Sequence, residues 1–274
     1  MLAICEYNAI ENFNDSEVKK KEKLIVFAHG AGGRGGQFQE VCEYLQERHT
    51  DWHLVHFDQV GHGQSFSEDF EYEKDDFKFE MLYSNLEFIV NMFVGKYEKL
   101  GHPVEVVICG HSVGSGLSMK YTLNNPTLVT RLVLMGTKEE APGQAAIWKL
   151  PVFSLNWLRP IFSSSFSKLA YHEKTPEEVR TRESEFTKNN SMFMMKSICT
   201  QLDWPTHEDI GKISCPTLII AGETDGITKP EQGETVSRLI QGSKYTIIKD
   251  ASHNMMLEKP QELAKIIEEF LINY

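Results

Sequence analysis

The chain has 274 residues, with 28 lysines and arginines against 39 aspartates and glutamates, for a formal charge of −11. The length suits one large domain, or one domain with an insertion, and allows a sizeable core. The acidic balance argues against nucleic acid, which needs a clustered basic face, and disfavours electrostatic docking on anionic lipid.

From the N-terminus, "MLAICEYNAIENFNDSEV" lacks a basic start and a sustained apolar stretch, so it is a poor secretory signal. Residues up to the low twenties are expected to add a short antiparallel edge strand. The basic run Lys19 to Lys23 reads as a solvated loop before a strand. Cys5, Cys42, Cys109, Cys199 and Cys215 are scattered and odd in number, with no Cys-x-x-Cys pair. They read as buried free thiols in a reducing compartment, with a cytoplasmic location expected. No run approaches the length of a membrane span. Peripheral membrane contact and oligomeric state stay open.

Short apolar runs then alternate with helix-length amphipathic segments. "LIVFAHG" (24–30), "HLVHFD" (53–58), "VEVVICG" (104–110), "RLVLMG" (131–136), "TLIIAG" (217–222) and "YTIIKD" (245–250) are rich in Val, Ile and Leu. Continuous rather than alternating apolar character implies strands buried on both faces. Strands separated by helix-length segments imply crossovers and a mostly parallel α/β sheet with helices on both faces. The alternation breaks between Gly136 and Cys215, where Trp-, Phe- and Met-rich helical pieces replace strands. "TPEE" there marks a helix start, with Thr175 as cap and Pro176 in the first helical position. Residues 138–210 are therefore expected to form a helical cap inserted into a core of residues 1–137 and 211–274.

One serine stands out. Gly110-His111-Ser112-Val113-Gly114 follows a strand and opens a helix. The G-x-S-x-G spacing lets strand and helix backbones pass closely while the serine hydroxyl is presented on a tight turn. A serine is a poor nucleophile without a base, and the base needs a third group to hold it. Among ten histidines, His49 and His102 sit in polar contexts, His53 and His56 enter a strand, and His172 and His207 fall in the insertion. His111 should point away from the neighbouring hydroxyl, and His62 in "QVGHGQS" reads as a structural turn residue. His253, after the last strand, remains as the base. Asp225, just past "TLIIAG", is the preferred acid, with Glu139 as fallback and Glu223 less well directed. Oxyanion-holding amides are expected from Val113 and from the loop "HGAGGRGG", where Ala31 is favoured and Gly32 second.

These motifs in order, "HGAGG", "FDQVGHGQS", "GHSVG", "AGETDGITKP" and "SHNMMLEKP", resemble those of the α/β-hydrolase superfamily across nearly the whole chain. The resemblance implies an eight-stranded-type sheet, the chain order Ser-Asp-His for the triad, and a cap after the sixth strand. It also implies a serine hydrolase, not one of the family's aspartate-dependent epoxide hydrolases or dehalogenases. Ester cleavage through an acyl-enzyme follows as the expected reaction, rising as imidazole loses its proton near neutrality, with no metal or organic cofactor called for. Gly32, His111, Trp148, Phe153, Trp157 and Met194 are candidate substrate contacts. An apolar roof tilts the expected substrate toward acyl esters of the monoacylglycerol or lysolipid kind. Two rivals exist. Gly30-Ala31-Gly32-Gly33-Arg34-Gly35 with Asp58 imitates a nicotinamide-dinucleotide site, and a non-catalytic ligand-binding protein could share the fold.

Overall fold

The computed structural model describes residues 1–7, 22–141, 145–188 and 190–274. In chain order the elements are β1 (Ile4–Tyr7), β2 (Glu22–Ala28), α1 (Gln39–Arg48), β3 (Trp52–Phe57), α2 (Phe79–Lys99), β4 (Val104–His111), α3 (Val113–Asn124) and β5 (Val129–Met135). Then come α4 (Val152–Ala170), α5 (Glu177–Lys188), α6 (Met192–Cys199), α7 (His207–Ile210), β6 (Thr217–Gly222), α8 (Pro230–Leu239), β7 (Lys244–Ile248), α9 (Met255–Glu258) and α10 (Pro260–Asn273).

Among the described residues seven strands form one sheet, ordered β1-β3-β2-β4-β5-β6-β7. Strand β1 pairs antiparallel with β3, as the edge reading anticipates, and the other pairings are parallel. The expected plan has one strand more than these residues supply. By their count the helical segment follows the fifth strand, not the sixth. Lys19 to Lys21 lie outside the described residues, whereas Lys23 is not in a loop but in β2.

The apolar runs form strands because both sheet faces are covered. Leu24, Val26, Ile108, Leu132 and Leu134 share one buried cluster with side chains of α2, α3 and α8. Their sequence neighbours Ile25, Phe27, Val107, Cys109, Val133 and Met135 share the other with α1, α9 and α10. Each such side chain, fully buried, stabilises the fold by roughly 1.5–3 kcal/mol. The rule weakens at β7, which among the described residues has a partner on one side only and leaves Ile247 exposed. Between β5 and β6 the chain is helical, α4 to α7. Helix α5 begins at Glu177, one residue after Pro176, and the Thr175 hydroxyl donates to Glu258 Oε1 at 2.6 Å.

Strand order places the site. From β2 the chain moves to β3 on one side, then returns to lay β4 on the other, so the order reverses between β2 and β4. In open α/β sheets a crevice forms at the carboxyl ends of two such strands. Ala28 is in register with Gly110, which brings the glycine loop after β2 alongside the Ser112 turn after β4. Further along the sheet, β6 ends where Gly222 meets the turn leading to His253. A β-carbon on Gly222 would lie 2.1 Å from the Ser252 carbonyl oxygen. We expect Gly222→Ala to force that backbone apart at a cost of about 2 kcal/mol, lowering Tm by several degrees. An unaltered thermal melt would contradict this packing.

Candidate active site

Ser112 is half-buried and sits at φ 52°, ψ −120°, between β4 and α3. Positive φ in a residue with a β-carbon costs on the order of 1–3 kcal/mol, so neighbours must hold it. The Ser112 amide donates to the Met135 carbonyl at 3.0 Å. Its carbonyl accepts the Ser115 amide at 2.9 Å and the Ser115 hydroxyl at 2.6 Å. The flanking glycines are sterically required: a β-carbon on Gly114 would come within 2.2 Å of the Ala28 oxygen, and one on Gly110 within 2.4 Å of the Gly114 oxygen. Gly30 passes so near that its β-carbon would fall 2.8 Å from that of Ser112.

His253 and Asp225 are bonded directly, Nδ1 to Oδ2 at 2.8 Å, and both are buried. The acid is fully engaged. Its Oδ1 accepts the amides of Ile227 and Thr228, both at 2.8 Å, and its Oδ2 accepts the Thr228 hydroxyl at 2.8 Å. Burial alone would raise the Asp225 carboxyl, but the His253 imidazole and the Thr228 hydrogen bonds outweigh it and hold the group below the usual carboxylate range. The Thr228 oxygen also lies 3.2 Å from His253 Nδ1. Glu223 Oε2 instead accepts the Asp250 amide, and neither Glu223 nor Glu139 is bonded to His253 among the described residues.

Ser112 and His253 are neighbours rather than hydrogen-bonded partners here. The His111 ring centroid is 4.6 Å from that of His253, and His111 Nε2 donates to the His253 carbonyl at 2.9 Å. On the other side Gly136, next to the Met135 carbonyl that holds Ser112, lies against the imidazole: its β-carbon would be 3.3 Å from Nδ1 and Cε1. His111 is thus turned away from the hydroxyl, buried, with its pKa pushed down to about 3 by burial and then by His253.

The loop after β2 is fixed by two more neutral histidines. His29 Nδ1 donates to the Gly30 carbonyl at 2.8 Å, while its Nε2 accepts the Gln59 amide. Gly33 donates to the same Gly30 oxygen at 3.0 Å. With that carbonyl pinned, the trans peptide points the Ala31 N–H the opposite way. His62 Nε2 accepts the Gly32 amide at 3.1 Å and Nδ1 donates to the Val60 carbonyl. Gly32 is therefore committed. The amides of Ala31 and of Val113, the latter in the first turn of α3, donate to no acceptor among the described residues. Burial is the leading cause that pushes His29 to about 4 and His62 to about 3. The sequence marked His62 only as a turn residue and gave His29 no role. Asp58, which in the dinucleotide reading would face a ribose, instead accepts the Gly35 and Gln64 amides, each at 2.7 Å.

The segment between β5 and β6 packs over this loop. Asn190 Nδ2 donates to the Gly32 carbonyl at 2.6 Å, and Met195 covers Gly32. Arg34 reaches the buried Glu183 of α5 at 2.8 Å and stacks on Phe186. Trp204 lies on Gly116 and donates to the Lys138 carbonyl. Of the other candidate contacts, Met194 is buried in the core beside Gly61, and Trp148 stacks with Phe162. Phe153 and Trp157 are 76% and 83% exposed, on the outside of α4. A cavity of about 680 Å³ borders the outer side of the glycine loop, lined by Arg34, His56, Phe66 and Asn190 but not by Ser112. Among the described residues no cluster of three or more His, Cys, Asp or Glu could hold a metal ion.

A mostly parallel sheet with helices on both faces and a strained Ser112 turn at its carboxyl edge defines an α/β-hydrolase fold. Solved structures agree: an esterase from Thermogutta terrifontis matches with TM-score 0.77 at 18% identity, covering 99% of this chain and 93% of that one. MenH from S. aureus matches with TM-score 0.71 at 20% identity, covering 99% and 98%. The family model "Serine aminopeptidase, S33" matches residues 19–260, and the chain belongs to that family of hydrolases. Among relatives, mouse protein ABHD8 is 22% identical over 91% of this chain but only 55% of its own length. The chain thus spans about half the length of the first curated relatives it matches. Proline iminopeptidase PfmaB of Pestalotiopsis fici is 24% identical over 90% of this chain and 91% of that protein. Mouse monoacylglycerol lipase ABHD6 is 24% identical over 60% of this chain and 48% of that protein.

His29, His62 and His111 give the site an acid sensitivity. Each is neutral in the fold down to pH 3–4, whereas an unfolded chain protonates histidine near 6.5. Between those values the unfolded state binds more protons, so stability falls as pH falls, by about 1 kcal/mol per histidine per pH unit. Thermal melts should show Tm dropping steeply from pH 6.5 to 4, with a shallower slope in His62→Asn. A flat Tm across that window would show these rings are not held neutral.

Proposed function

We propose that this protein is a serine hydrolase of carboxylic esters, working through an acyl-enzyme. The supporting observation is the buried Asp225–His253 pair beside a serine held in a strained, glycine-flanked turn. Ser112 Oγ attacks the carbonyl carbon as His253 takes its proton, and Asp225 fixes the imidazole tautomer and stabilises its cation. The Ala31 and Val113 amides receive the oxyanion, each worth roughly 3–4 kcal/mol in such sites. His253 then gives its proton to the leaving alcohol. Water, deprotonated by the same imidazole, attacks the acyl carbon and frees Ser112. Lack of a Ser112–His253 hydrogen bond fits this reading, since such bonds often form only once substrate binds.

Residues 138–210 serve as the cap in this proposal, with Met195 and Trp204 closing an apolar roof suited to an acyl chain. Cys42 and Cys109 are buried free thiols, which accords with a reducing, cytoplasmic setting, whereas Cys5 is exposed and Cys199 and Cys215 are partly buried. A second reading, aminopeptidase action, draws on the family and on Glu139, whose Oε2 is buried with no hydrogen-bond partner among the described residues and could meet a substrate ammonium.

A fluorophosphonate should label the protein, and Ser112→Ala should abolish labelling together with ester turnover. An unreactive serine would leave a ligand-binding role. Among p-nitrophenyl esters, medium chains should exceed acetate in kcat/KM, and all should exceed proline anilide; faster cleavage of the anilide would favour the aminopeptidase. Thr228→Val, which removes a donor to Asp225 beside His253, should lower kcat about tenfold with little change in KM.

A further inference from the structure

Helix α4 ends at Ala170, and the last carbonyls of a helix have no partner inside it. Here they are taken by the two turns that carry the candidate acid and base. The Leu169 carbonyl accepts the Gly226 amide at 3.0 Å, one residue past Asp225, and the Ser252 hydroxyl at 3.0 Å, one residue before His253. The Ala170 carbonyl accepts the Asn254 amide at 3.2 Å, one residue after His253. Gly226 passes so near that its β-carbon would fall 2.8 Å from Leu169 Cδ2. Ala170, Ser252 and Asn254 are all buried.

Beyond the helix end, Glu258 draws the same stretch against the His253 turn. Its Oε1 accepts the His172 amide at 2.7 Å and the Thr175 hydroxyl at 2.6 Å, and its Oε2 accepts the Ser252 amide at 2.7 Å. Hydrogen bonds accepted by a carboxylate are shorter and stronger than neutral ones. No Lys, Arg or His pairs with Glu258 among the described residues, so its charge acts on these three donors. Alongside, Asp250 sits at φ 53°, a backbone region that a residue with a β-carbon rarely adopts. Lys174 Nζ holds its carboxylate at 2.7 Å.

The backbone around His253 is thus fixed at three successive points: the Ser252 amide by Glu258, the His253 carbonyl by His111, and the Asn254 amide by Ala170. We propose that Glu258 is a positioning residue. Its carboxylate locks the His253 turn to residues 169–175, and Leu169 locks the Asp225 turn to that same stretch. The segment between β5 and β6 thereby sets the spacing of the Asp225–His253 pair. That pair meets through one bond of 2.8 Å, and a misplacement of about 1 Å caused far from the chemistry can lower turnover about 100-fold. A glutamate serving only to close its own short helix would draw its donors from α9; these come from residues 172, 175 and 252. The effect on turnover rests on the hydrolase reading, whereas the geometry of the pair does not.

The test uses the full chain and Glu258→Gln, which keeps the size but puts an amide N–H2 where one oxygen now accepts. For a p-nitrophenyl ester, kcat should fall about 10–100-fold while KM stays within about twofold of wild type. A second readout needs no turnover. In a Ser112→Ala background the His253 Nδ1 proton, bonded to a carboxylate, should give a far-downfield proton-NMR signal, and adding Glu258→Gln should broaden it or move it upfield. Thr175→Val, which removes one donor, should act in the same direction more weakly, and Thr175→Ser should restore both kcat and signal. Should Glu258→Gln fail to fold, the two Thr175 variants decide. A wild-type chain inactive on esters would end the hydrolase reading, and the NMR signal alone would then decide this one, an unchanged signal overturning it. Variants that lower Tm yet keep wild-type kcat and signal well below Tm would mark a purely structural role and overturn the proposal.

Discussion

The site depends on one steric constraint: three stretches of backbone meet where β2 and β4 end, with no room for side chains. Gly30, Gly110 and Gly114 pass within a β-carbon's reach of Ser112, Ser118 and the Ala28 carbonyl. The serine presents its side chain at this junction at a backbone angle it would not choose alone. Strain of about 1–3 kcal/mol is offset by hydrogen bonds at its amide and its carbonyl. Those bonds reach β5 and α3, so the turn is held by the sheet itself.

Around this turn, histidines act mainly as uncharged connectors. His29 and His62 each accept a backbone amide on one nitrogen and donate to a carbonyl with the other, which no single rotatable hydroxyl does so rigidly. They cross-link the loop after β2 to the loop after β3. Burial keeps them neutral, and neutrality is what leaves an acceptor nitrogen available. His253 differs because its partner is a carboxylate, which can stabilise a positive ring.

The architecture was legible because Val, Ile and Leu runs report two-sided burial directly, as in β2 and β4. Where burial is one-sided, as at β7, the same pattern overstated it. Ser112, Asp225 and His253 could be singled out because each ends a strand, and topology gathers strand ends. The surrounding contacts could not. That Thr228 would bond to Asp225, or His62 to Gly32, depends on loop conformations that no periodicity encodes. Phe153 and Trp157 looked like pocket residues because composition does not say which way a helix faces. Thr175 read as a cap because a hydroxyl before proline is a good local candidate; its bond to Glu258, distant in sequence, had no local signal.

The ties between Asn190 and Gly32, and between Arg34 and Glu183, bear on how such a chain can be recombined. A helical lid is easily pictured as a detachable module, exchangeable among relatives to alter selectivity. Here the helical segment between β5 and β6 grips the loop after β2, so a transplanted segment lacking matching grips would leave Arg34 without its Glu183 counter-ion and the Gly32 carbonyl without Asn190. Segment and loop are tied physically, so an exchange of either calls for matching contacts on the other.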